Sequence, residues 1–123
     1  DGVVTVGKAK SPMQMIMQEI MGYERSFHEL FDNTSKLEKI YEVLKEQWQM
    51  KLEIMADCSS EFPILCGNWS DSIHTPVFKK YITPFLQEAS DYLHSRGKLA
   101  AIHIDGEMMR LIPVNLETGV DVG

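Results

Sequence analysis

Cysteine is scarce in this chain. Cys58 and Cys66 are all there is, eight residues apart. Two thiols at that spacing make no disulfide framework and match no zinc motif, so a reduced, cytoplasmic setting is expected, with Cys66 a buried, inert thiol. Basic clusters are missing beyond Lys79-Lys80 and the formal charge is −6, which counts against nucleic acid as a partner. No apolar run nears the roughly 20 residues of a membrane span, so no membrane partner is expected. The start, Asp1-Gly2-Val3-Val4, has neither Met nor the charged and apolar regions of a signal peptide. The end, Gly119-Val120-Asp121-Val122-Gly123, reads as a strand cut short, and both ends predict a piece of something longer. Low-complexity stretches and linkers are also missing. The 123 residues therefore read as one domain with a modest core.

What is present alternates between short β-branched or apolar runs and helical periods. Gly2 to Gly7 predicts a strand around Val3, Val4 and Val6, followed by a Gly7-Lys8-Ala9-Lys10 loop. Ser11-Pro12 opens a helix, with a hydroxyl N-cap and a proline whose missing N–H costs nothing in the first turn. Met13, Ile16, Met17, Ile20 and Met21 form its stripe, which fills a core or lines a site for a large, flat ligand. Gly22 weakens the helix, and Tyr23 to Phe31 is a second helical piece. Asp32-Asn33-Thr34 offers capping side chains before the longest period, Leu37, Tyr41, Leu44, Trp48, Leu52 and Met55. The opposite face of that helix (Lys36, Glu38, Lys39, Glu42, Lys45, Glu46 and Glu53) predicts solvated charges in weak i,i+4 pairs. Glu61 to Gly67 predicts the next strand, with Pro63 tolerated near its start. A polar loop from Gly67 to His74 follows, in which Trp69 is either a lid over a site or a plug. Thr75-Pro76 repeats the hydroxyl-proline helix start. That helix buries Val77, Phe78, Tyr81, Ile82, Phe85, Leu86, Ala89 and Leu93, kinks at Pro84 and stops at Gly97. Glu107 to Glu117 is helical in pattern around Pro113, and Val120 to Val122 begins a further strand.

The run Leu99 to Gly106 is the centre of this pattern. Apolar at successive positions, it predicts a strand buried on both faces between two helices, hence a βαβ repeat of a parallel sheet. Polar groups appearing as such a strand ends sit at its C-terminal edge, where parallel α/β folds hold their ligands. His103 and Asp105, two apart, project to one side and are the candidate catalytic pair. Asn68, Trp69 and His74, in the preceding βα loop, are candidate substrate-binding residues. A lone His at a strand end and an Asp-Gly turn also occur as plain structure. His28 and His94 lie in helical patterns and predict surface or packing roles.

In order and spacing, Asn68-Trp69, Thr75-Pro76, Phe78, Tyr81 and Pro84, His94 with Gly97-Lys98, His103-x-Asp105-Gly106 and Gly119-Val120-Asp121 resemble the uroporphyrinogen decarboxylase superfamily. The Ser11-Pro12 helix and the Phe31-Asp32-Asn33 turn fit as well, so the resemblance covers nearly the whole chain. It looks closer to the corrinoid-linked methyltransferases than to the decarboxylase. The fold implied is α/β, parallel βα units forming part of a (β/α)8 TIM barrel. A full barrel takes about 250 residues, so residues 1–123 make about half of one and cannot close it alone. Exposed sheet edges then predict a homodimer or other assembly.

The function implied is transfer of a methyl group to or from a corrinoid (cobalamin) carried on a partner protein, with a small methylated substrate or a thiol as the other reactant. This stretch alone would be inactive. The methyltransferase relatives bind zinc through His-x-Cys where this chain has His103-x-Asp105, with a further cysteine later. The resemblance therefore implies zinc on His103 and Asp105, activating a thiol such as coenzyme M, with a carboxylate in place of the softer ligand. Alternatively His103 and Asp105 hold or polarise a methylated amine or aryl ether, or act as acid and base. A tetrapyrrole decarboxylase is the other enzymatic reading. It needs arginines against a many-carboxylate substrate, and the mouth loops offer only Arg110. A truncated barrel without catalysis, serving assembly or partner binding, is the reading of a different class.

Overall fold

A computed structural model describes residues 2–7 and 9–123; Asp1 and Lys8, which belong to the leading segment and first loop, lie outside them. Four backbone segments run parallel, side by side and in chain order. Gly7 bridges Ile64 at the start of β1 (Ile64–Gly67), β1 pairs with β2 (Ala101–His103), and Ala101 bridges Val122. Helices connect each segment to the next. This is the successive parallel pairing of a barrel wall, and the fold is α/β with parallel βα units. In register, Ile64 faces Ala101 and Gly67 faces His103, so β1 spends three steps where β2 spends two. The extra residue is a bulge just below the strand ends.

The first helix starts as its sequence dictates. Ser11 Oγ accepts from Gln14 N at 3.3 Å and Ser11 N donates to Gln14 Oε1 at 3.0 Å, a closed capping box around Pro12. α1 (Pro12–Gln14) widens at once into a π-helical stretch, Met15–Ile20, which closes with Met21 N donating to Ile16 O. Met13, Ile16 and Met17 are fully buried, so these methionines fill the core, whereas Ile20 is half exposed. Gly22, at φ +80°, breaks the chain direction before α2 (Tyr23–Asp32). α3 (Thr34–Asp57) lays Leu37, Tyr41, Trp48, Leu52 and Met55 on the core. Its N-cap residue, Asn33, makes no side-chain cap bond, and Thr34 Oγ1 donates back to Leu30 O. Its charged face reaches other elements rather than itself: Glu38 pairs with Lys80 at 2.8 Å and Lys45 with Glu88 at 2.6 Å.

Between β1 and β2 the structure departs from the hydroxyl-proline start. α4 (Asp71–Val77) begins after Ser70, so Thr75 and Pro76 lie inside it, and Thr75 Oγ1 donates to Asp71 O. The helix then widens over Phe78–Ile82, where Thr83 N donates to Phe78 O, and narrows again as α5 (Thr83–Ser95). Pro84 lacks a donor for the carbonyl four back, and a turn bonded i→i+5 steps past that gap. The apolar face expected for this helix is buried throughout, and Gly97 ends it at φ +71°.

The strands are shorter than expected. Val3 and Val4 are exposed and only Gly7 bridges, so Gly2–Gly7 is not a strand, although Val6 O accepts from Ile64 N at 2.8 Å. Leu99–Gly106 is a strand only over Ala101–His103. Ala100, Ala101 and Ile102 are buried, but Leu99 and Ile104 are 48% and 42% exposed, so burial on both faces is confined to the middle. Glu107–Glu117 is turn until α6 (Ile112–Asn115), which tightens into a 3-10 turn, Leu116–Thr118. Val120–Val122 contributes one bridge. Cys58 and Cys66 are free thiols, and burial pushes the Cys66 thiol far up. Among the described residues no helix is long and apolar enough to cross a membrane.

Candidate functional site at the strand ends

Because β1 and β2 run parallel, their C-terminal ends, Gly67 and His103, lie side by side and open on one edge. The turn after β1 is the tightest part of it. A Cβ on Gly67 would lie 2.0 Å from the His103 carbonyl oxygen, so only glycine lets the strands approach this closely. Asn68 follows at φ +62°, the one non-glycine residue with positive φ among those described, and its amide donates to His103 O at 3.1 Å. Such a left-handed residue is held only where its surroundings over-determine it. Here the Gly67 approach and the His103 bond do so.

His103 and Asp105 both stand exposed on this edge, with Nε2 and Oδ2 3.3 Å apart. The two loops beside them are locked together. Asp71 N donates to Glu107 O at 2.7 Å, Asp71 Oδ2 accepts from Arg110 N at 3.3 Å, and Gly106 (φ +101°) passes against the Trp69 carbonyl. Trp69 is 1% exposed and packs edge-on to Phe78 with centroids 5.4 Å apart; it plugs the wall rather than covering the edge. His74 is also buried. Its Nδ1 accepts from Ser70 N at 3.0 Å, its Nε2 has no partner among the described residues, and its ring meets Tyr23 edge-on. Burial holds the His74 imidazole below its usual pKa, partly opposed by the Ser70 backbone contact. Thus Asn68, His103 and Asp105 share the exposed edge, while Trp69 and His74 lie beneath it. His28 is exposed, and His94 pairs with Asp121 at 2.8 Å.

A cleft of about 170 Å³ opens beside the turn, lined by Ala9, Lys10, Gln14, Gln18, Gly67 and Asn68. Lys10 pairs with Glu19 across its rim. Sequence reasoning missed Lys10, Gln14 and Gln18 as site residues. The Ser-Pro-Met-Gln capping box marks a helix start, and nothing in it says that Gln14 also reaches the Gly67 carbonyl. A wider groove of about 710 Å³ lies between α3 and the Phe78–Pro84 stretch, but its walls are helix residues and include none of the strand-end groups.

A sequence model of one family, described as uroporphyrinogen decarboxylase (URO-D), matches residues 1–123. The chain belongs to the uroporphyrinogen decarboxylase family. Neither a curated protein nor a solved structure matches it. For a uroporphyrinogen decarboxylase family member, the strand-end edge is the face on which a barrel of this type builds its site. Zinc is the cofactor to test there. A catalytic zinc takes three protein ligands with one position open. His103 and Asp105 supply two, and no group of three or more His, Cys, Asp or Glu side chains converges among the described residues. These residues do not by themselves fit a zinc centre.

Proposed function

We propose that this chain is about half of the barrel of a uroporphyrinogen decarboxylase-like methyltransferase that moves a methyl group to or from a corrinoid carried by a partner protein. The observation that carries this reading is the exposed His103–Asp105 pair at the end of β2, with Nε2 and Oδ2 3.3 Å apart and no buried charge beside it. A neutral imidazole in that position accepts the proton of a thiol or ammonium substrate. The Asp105 carboxylate fixes the ring orientation and stabilises the imidazolium that results. Asn68, held in its left-handed conformation, presents an amide to the same substrate. Zinc on His103 and Asp105 would need a third ligand from outside the described residues, so no step here depends on it. Pairing of the exposed parallel edges with a second copy is part of the same proposal, as is a cytoplasmic setting.

A second reading, the decarboxylase itself, is favoured by the description of the matching family. Against it stands the scarcity of cationic forks at the strand ends: Arg110 is the only arginine in those loops, and planar recognition of carboxylates favours arginine.

The test presents methylcobalamin with a thiol, and separately uroporphyrinogen, to the intact protein containing this sequence. Loss of the methylcobalamin absorption spectrum, abolished by His103→Ala and weakened at least tenfold by Asp105→Asn, is the expected result. Turnover of uroporphyrinogen with inert methylcobalamin would replace this reading with the second. Inertness toward both would leave the barrel as a non-catalytic assembly unit.

A further inference from the structure

Gln14 meets two demands, and only one of them is local. Within its own helix it closes the capping box with Ser11, and a glutamate would do that equally well. A glutamate would not donate. Gln14 is 1% exposed, and its side-chain nitrogen donates to the carbonyl of Gly67, 53 residues further along the chain. That carbonyl opens the strand-end turn. On its other side Gly67 is already pressed against His103, and Asn68 N is bonded to His103 O at 3.1 Å. One buried amide therefore fastens the first βα turn to the second, which Asn68 fastens to the third.

We infer that Gln14 is a positioning residue of the strand-end site. It holds the Gly67–Asn68 turn where the left-handed Asn68, Lys10 and Gln18 edge one cleft beside His103. The consequence for turnover rests on the methyl-transfer reading; the positioning itself does not. Without the Gln14 donor, the Gly67 carbonyl loses its tie to the first helix and the turn is freer to rotate away from His103. A carboxylate at position 14 adds repulsion between two acceptors while leaving the Ser11 contacts intact.

Gln14→Glu therefore separates the two roles. In amide-resolved NMR of the whole chain, the variant is expected to keep the Ser11 to Met15 signals near their wild-type positions. The Gly67, Asn68 and His103 signals are expected to shift, and hydrogen exchange at the Asn68 amide to speed up at least tenfold. Gln14→Met, which loses the cap as well, should move both groups of signals. If Gln14 serves only as a cap, Gln14→Glu leaves residues 67, 68 and 103 unchanged, and the inference is overturned. Should neither variant fold, the wild type decides: proximity signals from the Gln14 side-chain amide protons to Gly67 and Asn68 are expected, and their absence overturns the inference. In the methylcobalamin assay, Gln14→Glu should lower turnover at a temperature well below the variant's melting temperature, where it is fully folded. A wild type inert in that assay would remove the methyl-transfer reading and leave the NMR outcome to judge Gln14 alone.

Discussion

At the scale of single residues, the strand-end edge depends on groups whose neighbours leave them no alternative. Gly67 is the clearest. Alanine there would put a methyl 2.0 Å from a backbone oxygen, and backbone cannot swing aside as a side chain can. Gly67→Ala is expected to cost at least about 3 kcal/mol, the upper range for overpacking, read as a fall in the urea midpoint with an unchanged m-value. His74 gives a pH signature. Burial lowers its folded-state pKa, so the unfolded chain takes the proton first as pH falls. Stability linked to His74 is complete above about 6.5 and is lost as pH drops through 6.5 toward the lower folded value. Melting temperatures from pH 7.5 down to 5.5 should fall, and His74→Phe should flatten that slope; an identical slope in the variant would assign it to other groups. The sequence already singled out His103, Asp105 and Asn68, because polar residues at the end of an apolar run mark a strand terminus. It left Trp69 open between lid and plug and placed His74 with the loop, since loop composition says nothing about which side of the wall a ring will take.

At the scale of elements, the long apolar periods of α3 and α5 were plain in the sequence, whereas starts and ends were governed by competition between signals. Ser70-Asp71 and Thr75-Pro76 both look like helix starts; the earlier one nucleates, and the turn widened over Phe78–Ile82 carries the helix past Pro84. The strands came out short because one bridge or three residues suffice to pass the sheet on, and a bulge in β1 shifts the register between its ends. The widened turn is tied from outside. Tyr41 on α3 donates to the Tyr81 carbonyl at 2.8 Å, and the Tyr81 hydroxyl reaches Glu38 at 3.1 Å. Burial, helped by the charges of Glu42 and Glu88, pushes the Tyr41 phenol well above its usual pKa, so it stays a neutral donor. Tyr41→Phe keeps the packing on Tyr81 (centroids 5.3 Å apart) and removes this bond alone. It should cost about 1 kcal/mol, measured by denaturant unfolding, and should speed hydrogen exchange in Phe78–Leu86 more than in α3. Equal acceleration in both helices would mean that the bond does not anchor the turn.

For the whole molecule, the order of parallel segments follows from the alternation of apolar runs and helical periods, and the edge that carries the polar residues follows from parallelism. The ties between units had no local signal. Gln14 to Gly67, Asp71 to Arg110 and His94 to Asp121 join residues 53, 39 and 27 apart, and the side chains that make them are those of Gln14, Asp71, His94 and Asp121. The last tie adds side-chain bonds to the backbone bonds of the final segment. Asp121 N and Val122 N both donate to Ala100 O, Val122 O accepts from Ile102 N, and Asp121 Oδ2 accepts from Ala100 N at 2.7 Å and from His94 Nε2 at 2.8 Å. The His94 contact first, and then the Ala100 amide, hold the Asp121 carboxyl below its ordinary pKa. Its stabilisation is therefore present above about pH 4 and lost as pH falls through the lower folded-state value. Asp121→Ala removes both bonds, and hydrogen exchange at the Ala100 amide should accelerate by roughly tenfold, the equivalent of about 1.4 kcal/mol, with exchange in α3 unchanged. Asp121→Asn, which keeps an acceptor for Ala100, should recover most of that protection at pH 7 and lose the acid sensitivity below about pH 4. If both variants exchange like the wild type, the backbone bonds of Asp121 and Val122 suffice to hold the segment, and the carboxylate is not what completes the wall.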